Sequence, residues 1–122
     1  MNDPGWVEGA LTSGRTGFRP GEILESQASW SLSAMPERVE ARLLWYTQGK
    51  GSQDVAVVAR FPFEAPQAAD RREFRLTLPS GPYSFSGQLI SLSWAIEVVA
   101  EPGETSGRAE LVLAPHGEEV QI

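Results

Sequence analysis

The feature that most constrains the fold is a period of two in the side chains between Ile90 and Ala100. Every second residue is apolar, and Ser91, Ser93, Ala95 and Glu97 lie between the first five of them; the apolar set is Ile90, Leu92, Trp94, Ile96, Val98 and Ala100. A period of two is that of a β-strand, whose successive side chains point to opposite faces, whereas a helix would scatter these residues around its circumference. The segment is therefore predicted to be a long central strand that buries Trp94.

The same alternation recurs along most of the chain, and residues 42–47 are apolar on both faces, as in a strand covered on both sides. Together these patterns predict about seven strands. Their approximate ranges are 6–11, 24–32, 42–47, 55–63, 74–78, 85–100 and 109–113. Most of the 12 glycines and 9 prolines fall between these ranges, as frequent chain reversals require. A single open sheet would leave its apolar face in water, so the strands are expected to form an all-β fold of two packed sheets.

Length and pattern predict one domain. At 122 residues the chain has the usual size of a single domain and can bury a core without disulfides. We assign residues 1–114 to this domain. Residues 115–122 follow the last strand, and we expect them to form a polar C-terminal tail that frays.

Charge and composition exclude several classes of partner. The net charge of −6 disfavours a nucleic-acid or anionic-membrane surface, which needs clustered cations. No stretch approaches the roughly 20 apolar residues that a membrane-spanning helix requires. The chain has no cysteine and its first residues do not resemble a signal peptide, so a cytoplasmic location is expected.

Three segments carry a resemblance to a known family. Residues 74–79 (Phe-Arg-Leu-Thr-Leu-Pro) resemble a "Phe-x-Phe-x-Leu-Pro" strand, and residues 82–87 (Pro-Tyr-Ser-Phe-Ser-Gly) lead from it into the long alternating strand. Residues 18–22 (Phe-Arg-Pro-Gly-Glu) resemble the "Tyr-x-Pro-Gly-Glu" that opens another strand. Together these segments are similar to those of arrestin-like domains, over about two-thirds of the chain.

The resemblance implies a bacterial arrestin-type sandwich of immunoglobulin-like architecture, related to sporulation-control proteins. Members of that family are non-enzymatic and hold partner proteins, so a protein-interaction or structural module is the implied function. Family members pair two such domains, and this chain has room for one. The first strand carries Glu8 and no lysine, so the phosphate-sensing basic pair of true arrestins is missing.

No residue set predicts catalysis, a metal or a cofactor. His116 is the single histidine and lies in the expected tail, where nothing would orient it beside a nucleophile. Zinc sites draw on several His or Cys ligands, and calcium sites on converging carboxylates. We therefore expect a non-enzyme without a cofactor.

A sheet edge is the expected route to a protein partner or to self-association, because edge strands carry unpaired peptide groups. Pro62 lies within an apolar run and marks residues 60–63 as a blocked edge strand. The first strand has only Glu8 as a guard, so Trp6, Val7 and Leu11 are the predicted partner-binding residues. The alternative is a small-ligand or carbohydrate-binding module that uses an exposed aromatic, Trp6 or Tyr46.

Overall fold

The computed structural model describes residues 5–49, 51 and 53–121, and this part of the chain is all β. Its strands are β1 (Gly5–Leu11), β2 (Gly17–Phe18), β3 (Ile23–Leu32), β4 (Arg38–Gly49), β5 (Val55–Pro62), β6 (Ala69–Thr77), β7 (Phe85–Ser86), β8 (Ile90–Glu101), β9 (Thr105–Leu113) and β10 (Val120–Gln121). Three of these strands have two residues each, and the other seven correspond to the predicted ones. The all-β prediction is confirmed.

In the same described residues, no helix has the length and apolar character needed to traverse a lipid bilayer.

The strands form two sheets. The smaller sheet has the order β1-β3-β6, and both of its pairings are antiparallel. In the larger sheet β5 pairs with β4, and β4 pairs with β8 along its full length. Along its other edge β8 pairs with β7 near its start and with β9 over the rest of its length. β10 pairs in parallel with β7, and β2 pairs in parallel with β9.

The core lies between the sheets and is built from the predicted alternation. Every second residue of β8 from Leu92 to Ala100 is buried against the small sheet, and Trp94 is fully buried. Trp30 of β3 is the second buried indole. Each indole N–H donates to a backbone carbonyl at 2.7 Å, Trp94 to that of Pro82 and Trp30 to that of Gln67. The expectation of a central β8 with a buried Trp94 is confirmed.

The sixth strand begins earlier than the sequence pattern predicts. We expected it at 74–78, but it starts at Ala69 and includes Asp70, Arg71 and Arg72. This end of β6 lies at the edge of the small sheet, where β3 supplies a complete ladder on one side. Charged side chains reach solvent from an edge, so an apolar alternation is not required there.

The C-terminal segment contains a short strand that the sequence pattern does not predict. After β9 the chain reverses at a turn in which Gly117 N–H donates to the Ala114 carbonyl at 3.1 Å. It then pairs Val120 with Phe85 and Gln121 with Ser86 as the parallel strand β10. Two residues are too few to show a period, and a free edge of β7 offers them peptide partners.

The two lateral sides of the sandwich differ. On one side β1 lies close against β9, where a Cβ at Gly107 would collide with the backbone of Val7 and Glu8. Glycine at this position therefore permits the two sheets to approach there. On the other side β5 and β6 are the edges of their sheets and do not pair with each other in the described residues. The sandwich is open on that side.

Candidate functional site

The open side presents β5 as an apolar edge strand. Its sequence from Val55 to Ala59 has no charged residue, and three of its valines are substantially exposed: Val55 by 57%, Val58 by 45% and Val57 by 37%. β5 pairs with β4 and with no other described strand. The prediction that Pro62 belongs to an edge strand is confirmed.

The hydrogen bonds to β4 fix which peptide groups of β5 face outward. Thr47 N–H donates to the Asp54 carbonyl at 2.9 Å, so these two residues form a bonded pair. Bonded and non-bonded pairs alternate in an antiparallel ladder, so Ala56 is bonded to Trp45 while Val55 and Val57 occupy non-bonded positions. The N–H and C=O groups of Val55 and Val57 therefore point away from β4, toward the free edge.

Two features limit the length of this free edge. The register between β4 and β5 shifts between Leu43 and Leu44, which leaves Val58 as the extra residue of a β-bulge. Farther along, Pro62 has no N–H to offer. The stretch with regular, outward peptide groups is therefore Val55 to Val57, and we call it the β5 edge.

An aromatic cluster fills the space between the two sheets at the other end of β5. Phe63, which follows β5, has its ring centroid 5.7 Å from those of Trp30 and Phe74 and 5.5 Å from that of Phe61. Phe61 and Phe74 are also 5.7 Å apart. Aromatic pairs at these separations add to the burial energy of each ring. The cluster joins the two sheets without backbone pairing and holds β5 in place.

A shallow cavity lies beside the cluster on the β6 side. It has a volume of about 470 Å³ and is lined by Thr12, Glu25, Ser26, Phe61, Glu73, Phe74 and Arg75. Arg75 and Glu25 form an exposed ion pair at 3.4 Å on its rim. Ser26 is buried, and its hydroxyl has no hydrogen-bond partner among the described residues.

The outer face of the large sheet is apolar next to the β5 edge. Leu44, Tyr46 and Ala95 are buried there although neither sheet of the described residues packs over them. The Arg108 guanidinium lies over the Tyr46 ring at 4.9 Å, and the Tyr46 hydroxyl donates to Glu110. Burial and this hydrogen bond to a carboxylate raise the pKa of Tyr46. Tyr46 is therefore covered and offers no exposed aromatic face.

Charged side chains cover the rest of that outer face. Glu40 accepts from Arg42 and Arg60, each at 2.7 Å, and Arg108 pairs with Glu97 at 3.1 Å. Burial of Glu40 opposes its ionisation, but the two guanidinium donors outweigh it and hold the pKa of this carboxyl below its usual value. The apolar strip thus lies beside the β5 edge, and the network of paired charges lies farther along the same sheet.

The predicted partner-binding residues lie on the opposite lateral side. Val7 is buried in the core, Leu11 is partly buried against it, and Trp6 is 50% exposed on the outer face of the small sheet. The close contact with Gly107 covers the middle of β1. Val55 and Val57 were not singled out by the sequence analysis. The sequence feature that could have indicated them is the uncharged, valine-rich run of residues 55–59, which directly precedes the segment that Pro62 marks as an edge strand.

His116 lies in a wide surface depression of about 640 Å³ together with Arg15, Arg19 and Glu22. Arg15 donates to both Glu22 carboxylate oxygens, at 2.9 and 3.1 Å, and Arg19 N–H donates to one of them at 2.8 Å. These bonds lower the pKa of Glu22 to about 2. Arg15 and Glu22 therefore satisfy each other's charges within the depression. Within the described ranges, no group of three or more His, Cys, Asp or Glu side chains is arranged to hold a metal ion.

Comparisons with known proteins identify the fold. No family model and no curated protein matches the sequence. Among solved structures, Spo0M, a sporulation control protein from Bacillus subtilis, superposes with a TM-score of 0.66 at 14% identity. The match covers 92% of this chain and 50% of Spo0M, so the chain spans half the length of that protein. A β-glucosidase from Listeria innocua matches with a TM-score of 0.44 and 18% identity over 95% of this chain and 16% of the enzyme, a likeness too weak to indicate a shared fold. The protein therefore has the arrestin-like sandwich fold of Spo0M.

Proposed function

We propose that the protein is a non-catalytic interaction module that pairs with an extended protein segment along the β5 edge. The observation that carries the proposal is the outward orientation of the Val55 and Val57 peptide groups on an uncharged, exposed strand. An edge strand of this kind is a template for a further strand. Main-chain hydrogen bonds supply affinity in such complexes, and alternate side chains supply specificity.

The side chains around the β5 edge support an apolar segment as the ligand. Val55 and Val57 pair with Tyr46 and Leu44, so they lie on the outer face of the sheet, beside the strip that ends at Ala95. An added strand with apolar residues at alternate positions extends this strip. Arg60 and Glu40 neutralise each other at the far end, so no unpaired charge is buried by the addition.

The test is a selection of random twelve-residue peptides on the purified protein, with the winners measured by calorimetry against edge variants. Val55→Pro removes an N–H that faces outward, so the fold is expected to survive while binding falls at least tenfold. Val55→Lys is the side-chain variant, and Ile23→Lys is its matched control, because Ile23 is 56% exposed but belongs to the other sheet. Selected peptides are expected to alternate apolar residues and to bind the Ile23→Lys variant normally.

Peptides that bind Val55→Pro as well as the parent protein would overturn the assignment to β5. The same assay addresses the interaction predicted for β1: if Val7→Pro or Leu11→Pro abolishes binding in a folded protein while Val55→Pro does not, Trp6, Val7 and Leu11 form the interface. Failure to select any peptide, with the fold intact, would remove both edges from consideration.

Carbohydrate binding is the second candidate, and the placement of Trp6 favours it. Trp6 is half exposed on the outer face of the small sheet, in register with Ser31, and the next outward pair is Glu8 with Ser29. An indole flanked by hydroxyl and carboxylate groups offers an apolar platform with polar neighbours. If this candidate is correct, soluble polysaccharides will retard the protein in affinity electrophoresis and Trp6→Ala will abolish the retardation. Equal mobility of the two proteins on every polysaccharide would eliminate it.

A further inference from the structure

We propose that the β5 edge pairs with the β5 edge of a second copy of this chain. The two strands run antiparallel, and Val55 of each copy lies opposite Val57 of the other, so the two-fold axis passes through Ala56. This proposal rests on the proposed function, because it names the partner of the same edge.

The backbone of β5 is self-complementary in this register. The outward N–H and C=O groups belong to Val55 and Val57. A two-fold axis at Ala56 places Val55 of each copy opposite Val57 of the other copy. In an antiparallel ladder such a pair exchanges two hydrogen bonds, so the two symmetric pairs satisfy all the outward groups of the β5 edge. A register displaced by one residue would place each outward group opposite a residue whose peptide groups already bond to β4.

The side chains follow the same symmetry. Val55 and Val57 lie on the outer face, so the Val55 side chain of each copy contacts the Val57 side chain of the other across the axis. β-branched pairs directly opposite one another stabilise antiparallel ladders. The apolar strip of Leu44, Tyr46 and Ala95 then continues from one copy into the next. Pairing covers, in both copies, the valine surface that a monomer leaves exposed to water.

The charge at the start of the edge favours the antiparallel orientation. Asp54 directly precedes the uncharged run and is exposed. Antiparallel pairing keeps the two Asp54 carboxylates at opposite ends of the ladder, whereas parallel pairing would bring these like charges together. The Val58 bulge and Pro62 restrict the ladder to its central residues. The dimer interface is therefore small, and the dimer is expected to dissociate on dilution.

The experiment uses the absence of cysteine in the chain, so that each variant carries a single thiol. Ala56→Cys places two thiols at a non-bonded pair on the two-fold axis, where Cα atoms are roughly 4.5 Å apart and within disulfide range. Val58→Cys is the matched control on the same strand, since its thiols lie roughly 13 Å apart at the rise of a β-strand. Oxidation with a glutathione buffer is followed by non-reducing electrophoresis, and sedimentation velocity of the parent protein is recorded over a hundredfold range of concentration.

We expect Ala56→Cys to form a covalent dimer at least ten times faster than Val58→Cys, and Val57→Pro in the Ala56→Cys background to remove that advantage. The parent protein is expected to sediment increasingly as a dimer as its concentration rises. Equal crosslinking rates for the two cysteine variants, or a monomer at every concentration, would overturn the dimer. Peptides that still bind in a Val55-dependent manner would then show that the β5 edge recognises a different chain, and the proposed function would stand without the dimer.

Discussion

Two buried tryptophans show how single residues couple packing to hydrogen bonding in this sandwich. Trp94 and Trp30 fill the space between the sheets, and each donates its indole N–H to a loop carbonyl, of Pro82 and Gln67 respectively. A buried indole needs such an acceptor, because an unpaired N–H in the core is costly. Each tryptophan therefore ties a loop to the core as well as filling it.

Replacing Trp94 with alanine is expected to reduce the free energy of unfolding by about 3–5 kcal/mol, since it removes a large buried side chain and leaves a cavity. Chemical denaturation followed by circular dichroism measures the change. Trp6→Ala is the control and should shift stability by less than about 0.5 kcal/mol, because Trp6 is half exposed. A Trp94→Ala protein with the parent's denaturation midpoint would contradict the role given to this residue.

At the scale of strands, the ends of the elements were harder to infer than their centres. The centre of β8 was predictable because it is paired on both sides and the opposing sheet buries one of its faces, which imposes the alternation on the sequence. The start of β6 and the whole of β10 carry no such pattern, since they lie at sheet edges or contain two residues. Their pairing depends on what the rest of the fold leaves unpaired, which local sequence does not encode.

Removing residues 118–122 tests how much β10 contributes. Its pairing with β7 involves two exposed residues, so the loss in unfolding free energy is expected to be less than about 1 kcal/mol. The truncated chain keeps Gly117 and the turn before it. Thermal unfolding measures the stability, and amide hydrogen exchange at Phe85 and Ser86 should accelerate in the truncated protein while β8 stays protected. A truncated chain that fails to give a β-rich spectrum would contradict this view of the segment.

At the scale of the whole molecule, the sequence was sufficient for the fold and insufficient for the candidate site. Alternating strands and the segments similar to arrestin-like domains led to a two-sheet sandwich, and the superposition on Spo0M agrees. The site depends on which edges stay free, and that follows from long-range strand order. The sequence placed Pro62 on an edge correctly, but it could not show that β9 lies against β1 while β5 and β6 lie opposite each other without pairing.

The connectivity of the central pair has a consequence for how the chain folds. β4 and β8 pair along their full length, yet the whole of β5, β6 and β7 lies between them in the sequence. Closing so long a loop is slow, and sandwiches of this type fold in roughly milliseconds to seconds. The β4–β5 hairpin is local and can form first, so for that interval both of its edges are open to other nascent chains. The bulge at Val58 and the proline at position 62 shorten the edge that remains open afterwards, and they thereby protect the hairpin from aggregation while β8 is still absent.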